Sequence, residues 1–357
     1  MNYWISFIFY ALIAVFQLSY SQEKKTITHN NYNDWKTLQS PKISDFGNCI
    51  SYEIKPHRGD GVLFFLNENA KDTFSIERGN SAVISQDEKF TVFKIHPGFD
   101  TLRKLELEEV KKEKWVKDSL GILNLVNGEI HKWADIKKFQ LSEQGNLLVA
   151  LSHKEEKKMA NDNSSMNKGL RWFWNRSRNA HQERNPIKEL GKILYWSYLN
   201  DSWNGEKQII NNVEDFILAE KQNVLVYSSK YEEDKKQFYH LHLKEFDGSS
   251  EVNLQTKFTA IGNWGFNENA DKFFFLASQD TVKKNKQFDL YLWQIRDTLP
   301  SKVDLPITAE GVAFWPSEHR KPIFSKNTNR LIFGIHEPIP QMPKDTLLKS
   351  EKANLDI

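Results

Sequence analysis

The chain has 357 residues, 49 basic against 47 acidic, a net charge of +2 and a single cysteine. So even a balance gives no electrostatic case for a nucleic-acid partner, and one cysteine cannot close an internal disulfide. Its 24 Phe, 11 Trp and 11 Tyr are enough to build a large core in an otherwise polar chain.

The first element is an apolar run from Ile5 to Leu18, followed by Ser19-Tyr20-Ser21 and Gln22. Small residues in that position predict a signal-peptidase site, with residues 1–21 removed and the mature chain starting near Gln22. The run lacks a Lys or Arg before it, so an uncleaved N-terminal anchor is the alternative. No cysteine is near it, which excludes a lipid anchor there. Export without disulfides predicts a periplasmic or secreted bacterial protein with no integral membrane domain once the signal is gone. Residues 22–42 read as a lead-in, with Thr28 to Leu38 helical or irregular.

From Ile43 onward one phrase recurs six times: a short polar turn, then a run of apolar residues. The turns are Ser44 to Asn48, Ser85 to Lys89, Ser142 to Asn146, Ala219 to Asn223, Asn267 to Lys272 and Ser325 to Arg330. Each is rich in Asp, Asn, Gly and Ser, which accept turn backbone and cap free amides. The runs after them, such as Leu147-Leu148-Val149-Ala150 and Phe273-Phe274-Phe275-Leu276, suit strands covered on both faces. Hairpin signals follow at Val126-Asn127-Gly128-Glu129, Asn204-Gly205, Asp247-Gly248 and Asp297-Thr298. The unit therefore predicts a four-stranded antiparallel blade, and residues 43–357 an incomplete all-β propeller of about six such units. Spacings between turns run from 41 residues (44 to 85) to 77 (142 to 219), which fits blades carrying loops of unequal length.

Two polar stretches interrupt the rhythm. Leu105 to Lys117 is charged, with helix-compatible pairs four apart. Residues 154–185 form a polar insertion that opens on Lys154 to Asn167, a composition that cannot bury a core. Within it, Arg171-Trp172-Phe173-Trp174-Asn175-Arg176 is the one candidate contact surface. Trp172, Phe173 and Trp174 either meet a partner, substrate or headgroup layer, or fold back on the rim of the propeller.

No catalytic constellation is legible. There is no Gly-x-Ser-x-Gly, no His-Glu-x-x-His and no glycine-rich phosphate loop. His240 and His242 alternate on one strand, but no third ligand is close in sequence, so no metal and no cofactor is expected. Cys49 reads as a small buried residue, and Arg58-Gly59-Asp60 as a turn.

The stretch from Trp35 to Leu125 nevertheless resembles the start of large exported bacterial members of the prolyl oligopeptidase family of serine peptidases. The resemblance rests on Trp35-Lys36-Thr37-Leu38, Ile43 to Asn48, Gly59 to Leu63, Arg78-Gly79, Ile84 to Asp87, Phe93-Lys94-Ile95 and Lys117 to Leu123. It implies that this region opens a propeller and that a Lys/Glu-rich insertion follows. It also implies that the propeller gates peptides toward an α/β-hydrolase domain. That domain's serine, aspartate and histidine have no counterpart here, so the resemblance implies a fragment inactive by itself. Peptide substrates would be met only through the missing domain. The alternative is a free-standing envelope propeller, similar to TolB-type or WD40-type scaffolds, that binds proteins or glycans.

Overall fold

The computed structural model describes residues 28–29, 31, 35–68, 72–153, 191–199, 202–203, 208–234, 236–246, 251–254, 256–281, 286–305, 314–327 and 330–337. Residues 1–21, the polar insertion 154–185 and hence Trp172, Phe173 and Trp174 lie outside the described residues.

Blade 1 is a meander of β1 (Lys36–Ile43), β2 (Cys49–Pro56), β3 (Val62–Asn67) and β4 (Asp72–Glu77). Blade 2 repeats it with β5 (Gly79–Ile84), β6 (Phe90–Ile95), β7 (Ser119–Asn124) and β8 (Ile130–Trp133). Blade 3 comprises β9 (Ile136–Leu141), β10 (Leu147–Ser152), β11 (Gly191–Leu199) and the short β12 (Ser202–Trp203). In blade 4 the strands are β13 (Gln208–Ala219), β14 (Val224–Glu233), β15 (Lys236–Glu245) and β16 (Glu251–Asn253). Blade 5 is β17 (Ala260–Phe266), β18 (Lys272–Ser278), β19 (Asp289–Gln294) and β20 (Ser301–Lys302). The sixth region shows two ladders among the described residues. β21 (Trp315–Pro316) pairs with β24 (Ile335–His336), and β22 (Ile323–Phe324) with β23 (Leu331–Ile332).

Alternation along each strand builds the core between blades. Leu147, Val149 and Leu151 of β10 join Phe216, Leu218 and Leu225 of blade 4, while Leu148 and Ala150 join Phe90, Val92 and Ile122 of blade 2. On β18, Phe273, Phe275 and Ala277 pack with Val226, Leu241 and Leu243, while Phe274 and Leu276 face Phe324 and Leu331. Cys49, Leu63 and Phe65 meet Phe93, Ile95 and Leu123 in the seam between blades 1 and 2. The continuous apolar runs are thus two half-runs, each serving a different seam. This is the all-β propeller architecture expected from the repeat.

At the first three blade junctions one left-handed residue carries the chain from one blade to the next. Arg78 (φ 61°) stands between β4 and β5, and Asp135 (φ 60°) between β8 and β9. Both sites are tied the same way: Arg78 N–H donates to Gly61 O (2.8 Å) and His96 N–H to Arg78 O (2.9 Å), as His153 N–H does to Asp135 O (2.7 Å). Between blades 3 and 4 the step occurs inside β13 at Asn212 (φ 61°). Its first half pairs with β11 and its second with β14, fusing the two blades into one eight-stranded sheet.

Two expectations are corrected. β1 begins at Lys36, inside the stretch read as lead-in, so the first blade starts before Ile43. All eight of its side chains are exposed, which erases the alternation that marks a strand. The helix in the charged segment, α1 (Phe99–Leu107), starts upstream of Leu105. Its position is set from outside: Phe99 N–H donates to Asp60 Oδ1 (2.8 Å), and the Arg58 guanidinium lies 5.7 Å from the centre of the Phe99 ring. The Arg58-Gly59-Asp60 turn therefore holds a helix. Among the described residues no helix is long and apolar enough to cross a membrane.

Candidate functional site: the axial mouth

Five of the six turns share one construction. The first residue's N–H donates to the carbonyl five residues on in Ser44 (2.8 Å), Ser85 (3.0 Å), Ser142 (2.8 Å), Asn267 (3.0 Å) and Ser325 (2.8 Å). Its side-chain oxygen accepts in return from the N–H of Cys49 (2.9 Å), Phe90 (3.2 Å), Leu147 (3.0 Å), Lys272 (3.0 Å) and Arg330 (3.2 Å). The turn needs a left-handed residue, supplied by Gly47, Glu88, Gly145, Asn223 and Ala270. In the fourth turn Ala219 has no side-chain oxygen, and Ala219 pairs directly with Val224.

Adjacent turns are bonded to one another. Glu88 accepts from the Ser44 hydroxyl and from Asn48 Nδ2 (2.8 Å). Glu143 N–H donates to Glu220 O (2.9 Å), and Gln222 Nε2 donates to Asn269 O. Lys221 lies 3.6 Å from Glu268. Together they frame a cavity of about 760 Å³, to which five of the six turns contribute: Asp45, Glu143, Glu220, Glu268 and Lys326 mark them. Its wall adds Ile217, Phe266 and Phe274, and Lys221 and Lys321 offset the carboxylates. Such a lining is apolar in the wall and of mixed charge at the rim, four carboxylates against three lysines. It suits a neutral or zwitterionic extended chain better than a polyanion.

Titration along the turns is uneven. Burial works to raise the Glu88 carboxyl, but hydrogen bonds from Ser44, Asn48 and the Phe46 amide outweigh it and hold the group below the usual carboxylate range. Glu220 is pushed the other way, by burial and then by the neighbouring Glu143 charge, against a bond from Gln140. Cys49, beneath the first turn, is pushed up to about 11 by burial and by Glu88, so it is not a reactive thiol at neutral pH.

Register creates one constellation that sequence reading missed. Ser229 Oγ lies 2.7 Å from His242 Nε2, and His242 Nδ1 lies 2.5 Å from Asn253 Oδ1. With the Asn253 carbonyl as acceptor, Nδ1 carries the proton and the Ser229 hydroxyl donates to Nε2. His242 also stacks on Tyr227 at 4.6 Å, and the Tyr227 hydroxyl donates to Glu251 (3.0 Å). The order hydroxyl, imidazole, amide is that of a nucleophilic relay. Yet Ser229 is central in a sheet, paired with Val213 on one side and His240 on the other. A strand hydrogen-bonded on both edges turns out no N–H pair for an oxyanion, so the network ties β14, β15 and β16 together. Only cross-strand register brings these residues close, and no local motif carries it. Among the described residues no group of three His, Cys, Asp or Glu is placed to hold a metal ion.

The sheets, the seams and the ring of turns define a β-propeller. No protein-family model matches the chain, and no curated protein does. Among solved structures it is similar to the β-propeller domain of the Trilobed protease from Pyrococcus furiosus, described as having an open velcro topology. That likeness has a TM-score of 0.41 and 11% identity over 79% of each chain. It is also similar to Pyrococcus horikoshii acylaminoacyl peptidase (TM-score 0.41, 12% identity), covering 80% of this chain but only 43% of that one. TolB from Acinetobacter baumannii is matched at TM-score 0.33 and 10% identity, over 84% of this chain and 65% of that chain.

Proposed function

We propose that this chain is a non-catalytic propeller whose axial mouth receives extended peptides and filters them by size toward a hydrolase domain of the prolyl oligopeptidase type. The observation that carries the reading is the cavity of about 760 Å³, framed by five of the six turns and lined by charges of both signs. Support also comes from the Trp35 to Leu125 resemblance, and export rests on Ile5 to Ser21. No serine nucleophile is assigned to this chain, so its role is access and not bond cleavage. A dansylated proline-containing octapeptide should bind the purified chain, with binding weakened roughly tenfold in Phe266→Ala, which strips an apolar wall contact. Equal binding by that variant, or serine-dependent cleavage by the chain alone, would refute the assignment.

A further inference from the structure

We propose that the open face of blade 1 is a docking surface for a second copy of this chain. Among the described residues, blades 2 to 5 pack sheet against sheet on both faces, but blade 1 does so only toward blade 2. On its other face, register sets Ile43, Ile50 and Leu66 in one row and Leu38, Ile54 and Val62 in another. Tyr52 stacks on Phe64 between them, with ring centres 5.4 Å apart. Leu38 is 62% exposed, Ile43 66% and Ile50 39%, and a groove of about 280 Å³ runs beside Ile50 and Leu66. A contiguous apolar sheet face of this kind marks an interaction site.

The edge of the sheet is not the point of attachment. β1 carries Pro41 and a register shift between Gln39 and Lys42, which blunt strand addition. The face itself is self-complementary. By strand alternation Lys36 and Leu38 project from β1 toward the open side, while Glu77 stands at the far edge, in the row of Val62, Ile54 and Leu38. A two-fold axis parallel to the strands lays β1 of one copy over β4 of the other. Lys36 then meets Glu77 of the second copy, twice by symmetry, around an aligned two-sheet sandwich.

Sedimentation velocity on the purified chain across micromolar concentrations tests this, with thermal melts in parallel. A concentration-dependent dimer is expected. Ile50→Ser with Leu66→Ser should give a monomer whose melting temperature at low concentration is unchanged. Lys36→Glu should weaken association roughly tenfold, and adding Glu77→Lys should restore it. A wild-type chain that stays monomeric overturns the proposal, as does a dimer indifferent to these substitutions. Coverage of this face by a different polypeptide, without self-association, overturns it as well.

Discussion

At the scale of single residues, five of the six turns work because one residue does two tasks. Ser142 closes its turn through the backbone and caps Leu147 through Oγ, while Gly145 (φ 71°) takes the left-handed position and packs against Ser85 of the preceding turn. Glu88 takes the equivalent left-handed position and uses its side chain to fasten the first turn to the second. Because its folded-state carboxyl is held below the ordinary value, ionised Glu88 stabilises the fold above the unfolded pKa of about 4.3. That contribution disappears as pH falls through the folded-state value. Glu88→Gln should cost about 1–2 kcal/mol at neutral pH, with a flatter loss of stability on acidification than wild type. Urea melts at a series of pH values measure it. Parallel wild-type and variant profiles below pH ~5 would rule out the assigned role.

The elements show how little local propensity a segment needs when a neighbour fixes it. α1 buries none of its residues, and nine residues are too few for stable helix in water. What holds it is the blade 1 turn: Asp60 caps the first amide and Arg58 covers Phe99. His96 Nδ1 and Asp118 Oδ1, 2.8 Å apart, clasp the two ends of the excursion between β6 and β7. Asp60→Ala should therefore cost about 1 kcal/mol of local helix stability. Amide exchange across Phe99 to Leu107 is expected to accelerate several-fold, with exchange in β6 and β7 unchanged. Protection of α1 equal to wild type would mean that the cap is idle.

For the whole molecule, stability is a chain of seams, each formed by two neighbouring blades. The seam between blades 4 and 5 is the most aromatic: Phe275 is fully buried, stacked on Tyr291 at 5.0 Å and edge-on to Phe258. Phe275→Ala should cost about 3–5 kcal/mol through lost burial and a cavity. Amide exchange should quicken in β14, β15 and β18 while β6 and β7 keep their protection, because that layer is remote from the change. Uniform acceleration across all blades would show a single cooperative unit instead.

The sequence by itself determined the repeated turn, the strand behind it and the propeller class, because each depends on neighbours within a few residues. Ser or Asn at the head of a turn, a left-handed residue within it and a doubly apolar strand are all local chemistry. β1 escaped notice because its exposed side chains leave no period to read, and α1 was placed too far downstream because its cap lies on another blade. The axial mouth, the link from Ser229 through His242 to Asn253, and the open face of blade 1 were decided only by tertiary structure. Each is assembled from residues on separate strands or blades, and register and blade order bring them together. The turn that announces the fold in one dimension becomes, in three, one segment of a rim around a cavity.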